Sequence, residues 1–299
     1  MSRDWIHPRS LQEALAVRAE RGAVPLSGAT DLLVRHRGVA GTLPSLNAPI
    51  VWIGHLQELT AVTADEDELR IGAAAVYTDI AAHPRTPAIL RQTIAEPAAP
   101  AIRNVATVGG NIGNASPAAD AVCTLYALDA EVELASVTAS RRVPIAEVIT
   151  GPGQTTIGDD ELITAVYLPL GQDEFWFYRK VGTRRANALS KLALAACGRL
   201  DGRRLADIGL ALGAVAPTVV RSGELEHRMR GAAADDIAVM RDELIAGYLA
   251  LVNPIDDQRS TRRYRLRVTE NLLSELFDRR LPFSLEGSAE HRGSRSPRR

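Results

Sequence analysis

The segment from Ile102 to Asp120 has residue types that suit an anionic ligand. Its closely spaced glycines expose the backbone and let peptide N–H groups approach a phosphate. Uncharged hydrogen-bonding side chains accompany them, namely Thr107, Asn111, Asn114 and Ser116. Asp120 could also accept a hydrogen bond from a ribose hydroxyl, as acidic residues do in other nucleotide sites. Composition alone equally allows a loop of unusual conformation that binds nothing.

A second candidate is the segment Pro25–Leu32, where a glycine turn is predicted between a short strand and a short helix. Gly28 permits a close approach of backbone N–H groups to a ligand, and Ser27 and Thr30 offer hydroxyl groups. The segment is neither a Rossmann glycine fingerprint nor a Walker loop, because no Gly-Lys-Ser/Thr sequence follows. Taken alone, this signal is weak, and a plain loop that caps a helix is the commoner structure for such a sequence.

The two glycine segments, called the first loop (residues 26–32) and the second loop (residues 107–114) below, could hold one ligand from two sides. An extended dinucleotide suits such an arrangement better than a mononucleotide does. Reasoning from residue types therefore reaches an anionic, nucleotide-like ligand and does not name it.

The overall composition excludes several classes of protein. The chain has 299 residues, a hydrophobic content of 46% and a formal net charge of -1. No global charge attracts nucleic acid or an anionic membrane, so neither partner is expected. The two cysteines, Cys123 and Cys197, are too few for an iron–sulfur cluster, which needs about four ligands, and are predicted to be buried thiols. The histidines show no metal-ligand spacing, so no metal site is predicted.

Targeting signals are also missing from the sequence as given. The residues Met1–Trp5 contain no apolar signal region. The longest apolar run, Ile208–Ala216, contains glycines and is too short to span a bilayer. We therefore expect no membrane span and a cytoplasmic location.

Hydrophobic periodicity and turn residues divide the chain into three domains and a tail. Residues 1–57 are predicted to form a small α/β unit, and residues 58–172 a second unit that is mostly antiparallel sheet. Residues 173–283 are predicted to form an α+β domain. Residues 284–299 have almost no apolar content and are predicted to be disordered.

Local signals place individual elements within these domains. The Ser10–Glu13 capping box predicts a helix over residues 11–21. Pro117 predicts the start of a helix that reaches residue 128. In the last domain Asp201-Gly202 predicts a hairpin turn, and two helices are predicted at residues 235–250 and 261–278.

The second loop, with its Thr107–Asn111 core followed by Ala115–Asp120, resembles the signature of the FAD-binding medium subunit of the molybdenum hydroxylases, the xanthine dehydrogenase and carbon monoxide dehydrogenase family. Gly28–Leu32 is similar to the first flavin loop of that family. The segments Leu162–Pro169, Tyr178–Gly182, Gly213–Thr218 and Tyr264-Arg265 are similar in kind and order. The resemblance covers roughly residues 3–280 of the chain.

The resemblance implies an α+β protein with an FAD-binding fold of the p-cresol methylhydroxylase type. In that fold two α/β subdomains hold the flavin, and a C-terminal domain packs an antiparallel sheet on helices. Neither loop contains His or Cys, so the FAD is expected to be non-covalent. The residues expected around the diphosphate are Leu26, Ser27, Gly28, Ala29, Thr30, Asp31, Leu32, Thr107, Val108, Gly109, Gly110 and Asn111.

The resemblance also implies roles for four further residues. Asn114 and Asp120 would lie near the diphosphate and the ribose. Ile163 and Lys180 match positions beside the isoalloxazine ring, where a lysine could stabilise negative charge on the reduced flavin. On this basis Lys180 is the one residue expected to act on the flavin directly. The alternative is an ordinary solvated lysine of a strand.

One departure from the family concerns Ala29. The family often has two glycines in the first loop, whereas this chain has Gly28-Ala29. A methyl group is tolerated at the second position unless that residue needs a positive φ.

The function that follows from the resemblance is electron transfer within a multi-subunit FAD-dependent oxidoreductase. A large subunit would carry the molybdenum cofactor and a small subunit [2Fe-2S] clusters, in a dimer of heterotrimers. FAD in this chain would take electrons from the clusters and pass them to an external acceptor. Two alternatives stay open at this point: a stand-alone flavoenzyme with its own small-molecule substrate, and an assembly subunit that has lost flavin.

Overall fold

The computed structural model describes residues 4–36, 46, 48–95, 99–171, 175–184 and 188–282. It begins with a small α/β unit whose elements are β1 (Trp5–Ile6), α1 (Leu11–Arg21), β2 (Val24–Leu26), α2 (Leu32–Arg35) and β3 (Ile50–Trp52). The three strands are parallel, in the order β1-β3-β2. The Ser10 half of the predicted capping box is present, because Ser10 Oγ accepts from Glu13 N at 3.2 Å and fixes the start of α1. The Glu13 carboxylate accepts from Arg9 N at 2.7 Å instead of from Ser10 N.

The second unit is a five-stranded antiparallel sheet with helices on it, as the sequence predicts. Its strands have the order β4-β5-β10-β6-β7. The elements are α3 (Gln57–Thr60), β4 (Val62–Ala64), β5 (Glu68–Gly72), α4 (Tyr77–Ala82), α5 (Ala88–Ala95), α6 (Pro100–Arg103), α7 (Val108–Gly113), α8 (Asp120–Ala127), β6 (Glu131–Ala135), β7 (Ser140–Pro144), α9 (Ile145–Val148), β8 (Ile149–Gly151), β9 (Gln154–Thr155) and β10 (Leu162–Pro169).

Two local expectations in this unit differ from the structure. The composition of the second loop predicts no regular element, but its glycines lie in the short helix α7, which Thr107 caps by accepting from Gly110 N at 3.2 Å. The helix expected from Pro117 begins instead at Asp120. Residues 116–119 form a turn before it, closed by a hydrogen bond from Ala119 N to Ser116 O.

The third unit packs a four-stranded antiparallel sheet on helices. The elements are β11 (Phe175–Val181), β12 (Leu192–Asp201), β13 (Arg204–Gly213), β14 (Val220–Arg221), α10 (Gly223–Met229), α11 (Ala234–Leu251) and α12 (Arg262–Glu275), which continues as a π-helical turn at Leu276–Arg280. The predicted hairpin at Asp201-Gly202 is confirmed, with Gly202 at φ 59°. The two predicted helices are also present, whereas α10 is an element that the sequence did not predict.

Helix α8 joins the second and third units. Gly209 of β13 lies against it so closely that a Cβ there would be 2.1 Å from the carbonyl oxygen of Ala127. Cys123 Sγ of α8 lies 3.5 Å from the carbonyl oxygen of Ala211, and Cys197 lies beside the same helix. Both thiols are buried, as predicted, and neither is part of a disulfide among the described residues. The division of the chain at residues 57 and 172 stays a prediction, and the tail at residues 284–299 lies outside the described residues.

Candidate functional site

Both glycine loops line one cavity of about 340 Å³ between the first and second units. It contains nearly all of the predicted site residues: Leu26, Ser27, Gly28, Ala29, Thr30, Asp31, Leu32, Thr107, Gly109, Gly110, Asn111, Asn114 and Ile163. The strand β2 ends at the first loop, and α7 forms the second loop. Segments that are distant in sequence therefore meet at one site.

Close backbone packing sets the distance between the two loops. A Cβ on Gly28 would lie 1.9 Å from the carbonyl oxygen of Val105, so only glycine allows the first loop to lie this near to the segment before the second. Gly109 packs in the same way on Ala73, where a Cβ would be 2.7 Å from the carbonyl oxygen. The width of the cavity therefore depends on these two glycines.

The two loops differ in the donors that they offer. Within the described residues, no hydrogen bond uses the backbone N–H groups of residues 27–31 in the first loop. In the second loop Gly109 N donates to Ala73 O at 2.8 Å, and Asn111 N donates to Thr107 O at 3.0 Å. The second loop therefore offers its side chains, rather than these backbone N–H groups, to a ligand in the cavity. Asn111 Oδ1 is buried and has no partner in the described part of the chain.

Ala29 adopts the left-handed backbone conformation, with φ at 59°. A residue with a Cβ pays about 1–2 kcal/mol for this conformation. The position where the family often has glycine is thus one that needs a positive φ. The substitution stores strain in the first loop, which lines the cavity.

Three predicted site residues do not line the cavity. Val108 is 2% exposed and belongs to the core of the second unit. Lys180 Nζ forms an ion pair with Asp120 Oδ2 at 2.6 Å, and Ser190 Oγ donates to the other oxygen of that carboxylate. The pair joins α8 to β11, so both side chains have partners across the second and third units.

Several cavity residues had no signal in the sequence, because the chain brings them in from other elements: Arg18, Arg35, Tyr77, Thr155, Ile157 and Glu161. Burial raises the pKa of Tyr77, and the nearby charges of Asp120 and Asp31 raise it further. Tyr77 is therefore a neutral phenol at physiological pH.

The negative charge of Glu161 is balanced by an ion pair with Arg141, which reduces its repulsion of an anion in the cavity. Arg141 donates to both of its carboxylate oxygens, at 2.8 and 2.9 Å, and Gly158 N donates at 2.7 Å. The hydrogen bonds from Arg141 lower the pKa of Glu161, against an opposing effect of burial. Among the described residues no group of His, Cys, Asp and Glu could hold a metal ion.

The cavity suits FAD on three observations. The unpaired N–H groups of the first loop can donate to a diphosphate. The buried Asn111 Oδ1 lacks a partner, which a polar ligand would supply. Aliphatic side chains (Leu26, Ile53, Leu162 and Ile163) provide apolar surface for planar rings. Fold and cavity together define a protein that is suited to bind FAD.

Comparison with known proteins identifies the family. Residues 1–171 match the family of the FAD binding domain in molybdopterin dehydrogenase, and residues 176–279 match the CO dehydrogenase flavoprotein C-terminal domain. The chain belongs to this family, the FAD-carrying subunits of the molybdenum hydroxylases. The resemblance, the FAD cofactor and the class of oxidoreductase subunit stated from the sequence are thereby confirmed.

Individual relatives agree with this assignment. The xanthine dehydrogenase FAD-binding subunit of Escherichia coli O157:H7 is 31% identical over 84% of this chain and 86% of its own length. The glyceraldehyde dehydrogenase medium chain of Sulfolobus acidocaldarius is 30% identical over 91% and 96%. A chain of the Cu,Mo-CO dehydrogenase crystal structure superposes with a TM-score of 0.83 at 25% identity, over 94% of this chain and 98% of that one. The predicted fold is confirmed.

No helix among the described residues is long and apolar enough to cross a bilayer.

Proposed function

We propose that FAD binds non-covalently in the cavity between the two loops and transfers electrons from iron–sulfur clusters of a partner subunit to an external acceptor. The observation that carries the proposal is the pairing of the two loops around one cavity, with unpaired N–H groups on one loop and an unpaired buried amide oxygen on the other. When bound, FAD supplies the chemistry of accepting and releasing electrons. The chain supplies binding, orientation and charge.

The residues divide this work between them. The N–H groups of residues 27–31 would bind the diphosphate, because they are free to donate and an anion is the ligand that such groups favour. Asn111 would bind a polar group of FAD through its amide. Ile163 would pack against the isoalloxazine ring from β10. Gly28 and Gly109 keep the loops close enough for these contacts.

The roles of Asp120 near the ribose and of Lys180 beside the flavin ring stay predictions. Their side chains are 14% and 12% exposed and bind each other. Asp120 is near enough to raise the pKa of the cavity residue Tyr77. A role of Lys180 in stabilising reduced flavin is therefore best tested through the flavin midpoint potential of a Lys180 variant.

The partners are proposed from the family. Relatives bear the names "medium chain" and "FAD-binding subunit", which belong to enzymes of several subunits. We propose a large subunit with the molybdenum cofactor, a small subunit with [2Fe-2S] clusters, a dimer of such heterotrimers, and a cytoplasmic location. The two cysteines of this chain are buried in the core, which leaves the clusters to a partner.

Two experiments test the proposal in sequence. The first is the visible absorption spectrum of the chain purified alone, before and after heat release of the chromophore. Flavin bands, with all flavin released as FAD, are expected. A colourless protein that takes up no added FAD would contradict FAD binding and favour the flavin-free assembly subunit.

The second experiment follows flavin reduction when the chain is mixed anaerobically with the reduced [2Fe-2S] partner subunit. Rapid bleaching of the flavin band is expected, with no reduction by organic substrates in the absence of the other subunits. Substrate-dependent bleaching of the isolated chain would favour the stand-alone flavoenzyme instead.

A further inference from the structure

Two guanidinium groups that no motif predicts line the cavity, that of the half-buried Arg18 and that of the exposed Arg35. Arg18 lies on α1, outside both glycine loops, and its side chain lines the cavity. Its Nη1 donates to the carbonyl oxygen of Ala23 at 3.1 Å, directly before β2. Its Nε is buried and has no partner among the described residues. A buried charged donor without an acceptor is unfavourable, and an anionic ligand would relieve it.

The balance of charges around the cavity also favours an anionic ligand beside Arg18. The charged side chains that line it are Arg18, Arg35, Asp31 and Glu161. Among the described residues Glu161 is paired with Arg141, whereas the side chain of Asp31 is bonded to the uncharged amide of Asn114. A diphosphate beside Asp31 would therefore meet an uncompensated negative charge. In the described part of the chain Arg18 forms no ion pair, so its charge is available to offset it.

The position of Arg18 indicates which half of FAD it would meet. Arg18 contacts the chain before β2, on the side of the first unit, whereas Ile163 lies on β10 of the second unit. The loops meet between them. With the diphosphate at the loops and the isoalloxazine ring beside Ile163, as proposed above, the adenylate half extends toward Arg18.

We propose that Arg18 binds the ADP half of FAD and is a determinant of affinity for the dinucleotide. A guanidinium suits this half of the cofactor, because it can bond phosphate oxygens in a fork geometry and can stack on an aromatic base. The isoalloxazine ring is uncharged when oxidised and has less need of a cation. This inference rests on the proposed function, since it assumes that FAD occupies the cavity.

The test compares Arg18→Gln with Arg18→Lys and with Arg21→Gln as the matched control. Arg21 is on the same helix, does not line the cavity, and forms an exposed ion pair with Asp4. FAD is titrated into flavin-free protein, and ADP is then used to displace it. Arg18→Gln is expected to raise the Kd of FAD and the inhibition constant of ADP by the same factor, about tenfold to a hundredfold.

Arg18→Lys should recover part of the affinity at low salt, because it restores the charge without the fork geometry. Arg21→Gln should leave both constants unchanged. An unchanged inhibition constant for ADP in Arg18→Gln, or a failure of ADP to displace FAD from the wild-type protein, would overturn the assignment. Failure of the wild-type protein to bind FAD would instead overturn the proposed function, so the two failures are distinguishable.

Discussion

Asn114 Nδ2 donates a hydrogen bond to Asp31 Oδ2 at 3.0 Å, joining the second loop to the first across 83 residues of sequence. Both residues line the cavity, and the bond fixes one loop relative to the other. Two segments that each carry weak binding signals thus act as one structure. The geometry of the cavity therefore depends on a side-chain contact as well as on the glycines.

Asn114→Asp should weaken FAD binding. It places a second carboxylate beside Asp31, and like charges in hydrogen-bond distance repel and separate the loops. We expect the Kd of FAD to rise about tenfold at neutral pH, measured by titration of flavin-free protein. The exchanged pair Asp31→Asn with Asn114→Asp restores one donor and one acceptor. It should recover most of the affinity, and no recovery would show that the bond does not position the loops.

Ala29→Gly should stabilise the protein. The positive φ of Ala29 costs about 1–2 kcal/mol, and the larger freedom of glycine in the unfolded chain offsets about 0.4–1 kcal/mol of the relief. We expect the free energy of unfolding in urea to rise by about 0.5–1 kcal/mol. The control is Ala246→Gly, at an exposed position inside α11, which should lower it by about 1 kcal/mol. If Ala29→Gly lost stability as Ala246→Gly does, the backbone of Ala29 would not be strained.

The loops themselves could be predicted from the sequence, because their signals are local. The run of glycines, amides and hydroxyls in the second loop is contiguous, and so is the turn around Gly28. The helical form of α7 escaped prediction because glycine disfavours helices. Its cap from Thr107 and the hydrogen bond from Gly109 N to Ala73 O supply what the propensity lacks.

Lys180→Met should destabilise the protein, because it leaves Asp120 charged and without its cation. Removal of one member of a buried pair costs roughly 3–5 kcal/mol, and at 12–14% exposure we expect about 3 kcal/mol in urea unfolding. The double variant Asp120→Asn, Lys180→Met should lose less than the single one. Equal stability of Lys180→Met and the wild type would mean that the pair is not formed in solution.

Contacts between side chains that are distant in sequence could not be predicted from the sequence. Lys180 and Asp120 are 60 residues apart and meet only because α8 packs beside β11. Arg18 and Tyr77 reach the cavity from a helix of each unit, and neither lies within a recognisable motif. Their positions follow from the packing of elements, which local patterns do not encode.

The pair Glu161–Arg141 should make stability depend on pH on the acid side. The pKa of Glu161 is lowered in the folded state, so its contribution is present above the usual value of 4.5 and is lost as pH falls through the folded pKa. In urea unfolding below pH 4.5, Glu161→Gln should show a shallower loss of stability than the wild type. Glu147→Gln, at an exposed carboxylate that forms no side-chain hydrogen bond within the described residues, should follow the wild-type curve.

Gly28→Ala is expected to disrupt FAD binding more than any other single methyl group added to the first loop. The new Cβ would lie 1.9 Å from the carbonyl oxygen of Val105, a backbone atom, so the first loop must move away from the second. We expect a rise in the Kd of FAD of at least about a hundredfold, corresponding to the loss of two or more charge-assisted hydrogen bonds.

The control for Gly28→Ala is Gly223→Ala at the start of α10, where an added Cβ has no neighbour within 4 Å. It should retain wild-type affinity and stability. Because the sheet and helices of the third unit have a core of their own, Gly28→Ala should also keep the native circular dichroism of the chain. Full FAD affinity in Gly28→Ala would show that the first loop does not bind the diphosphate, since the displaced N–H groups could no longer reach it.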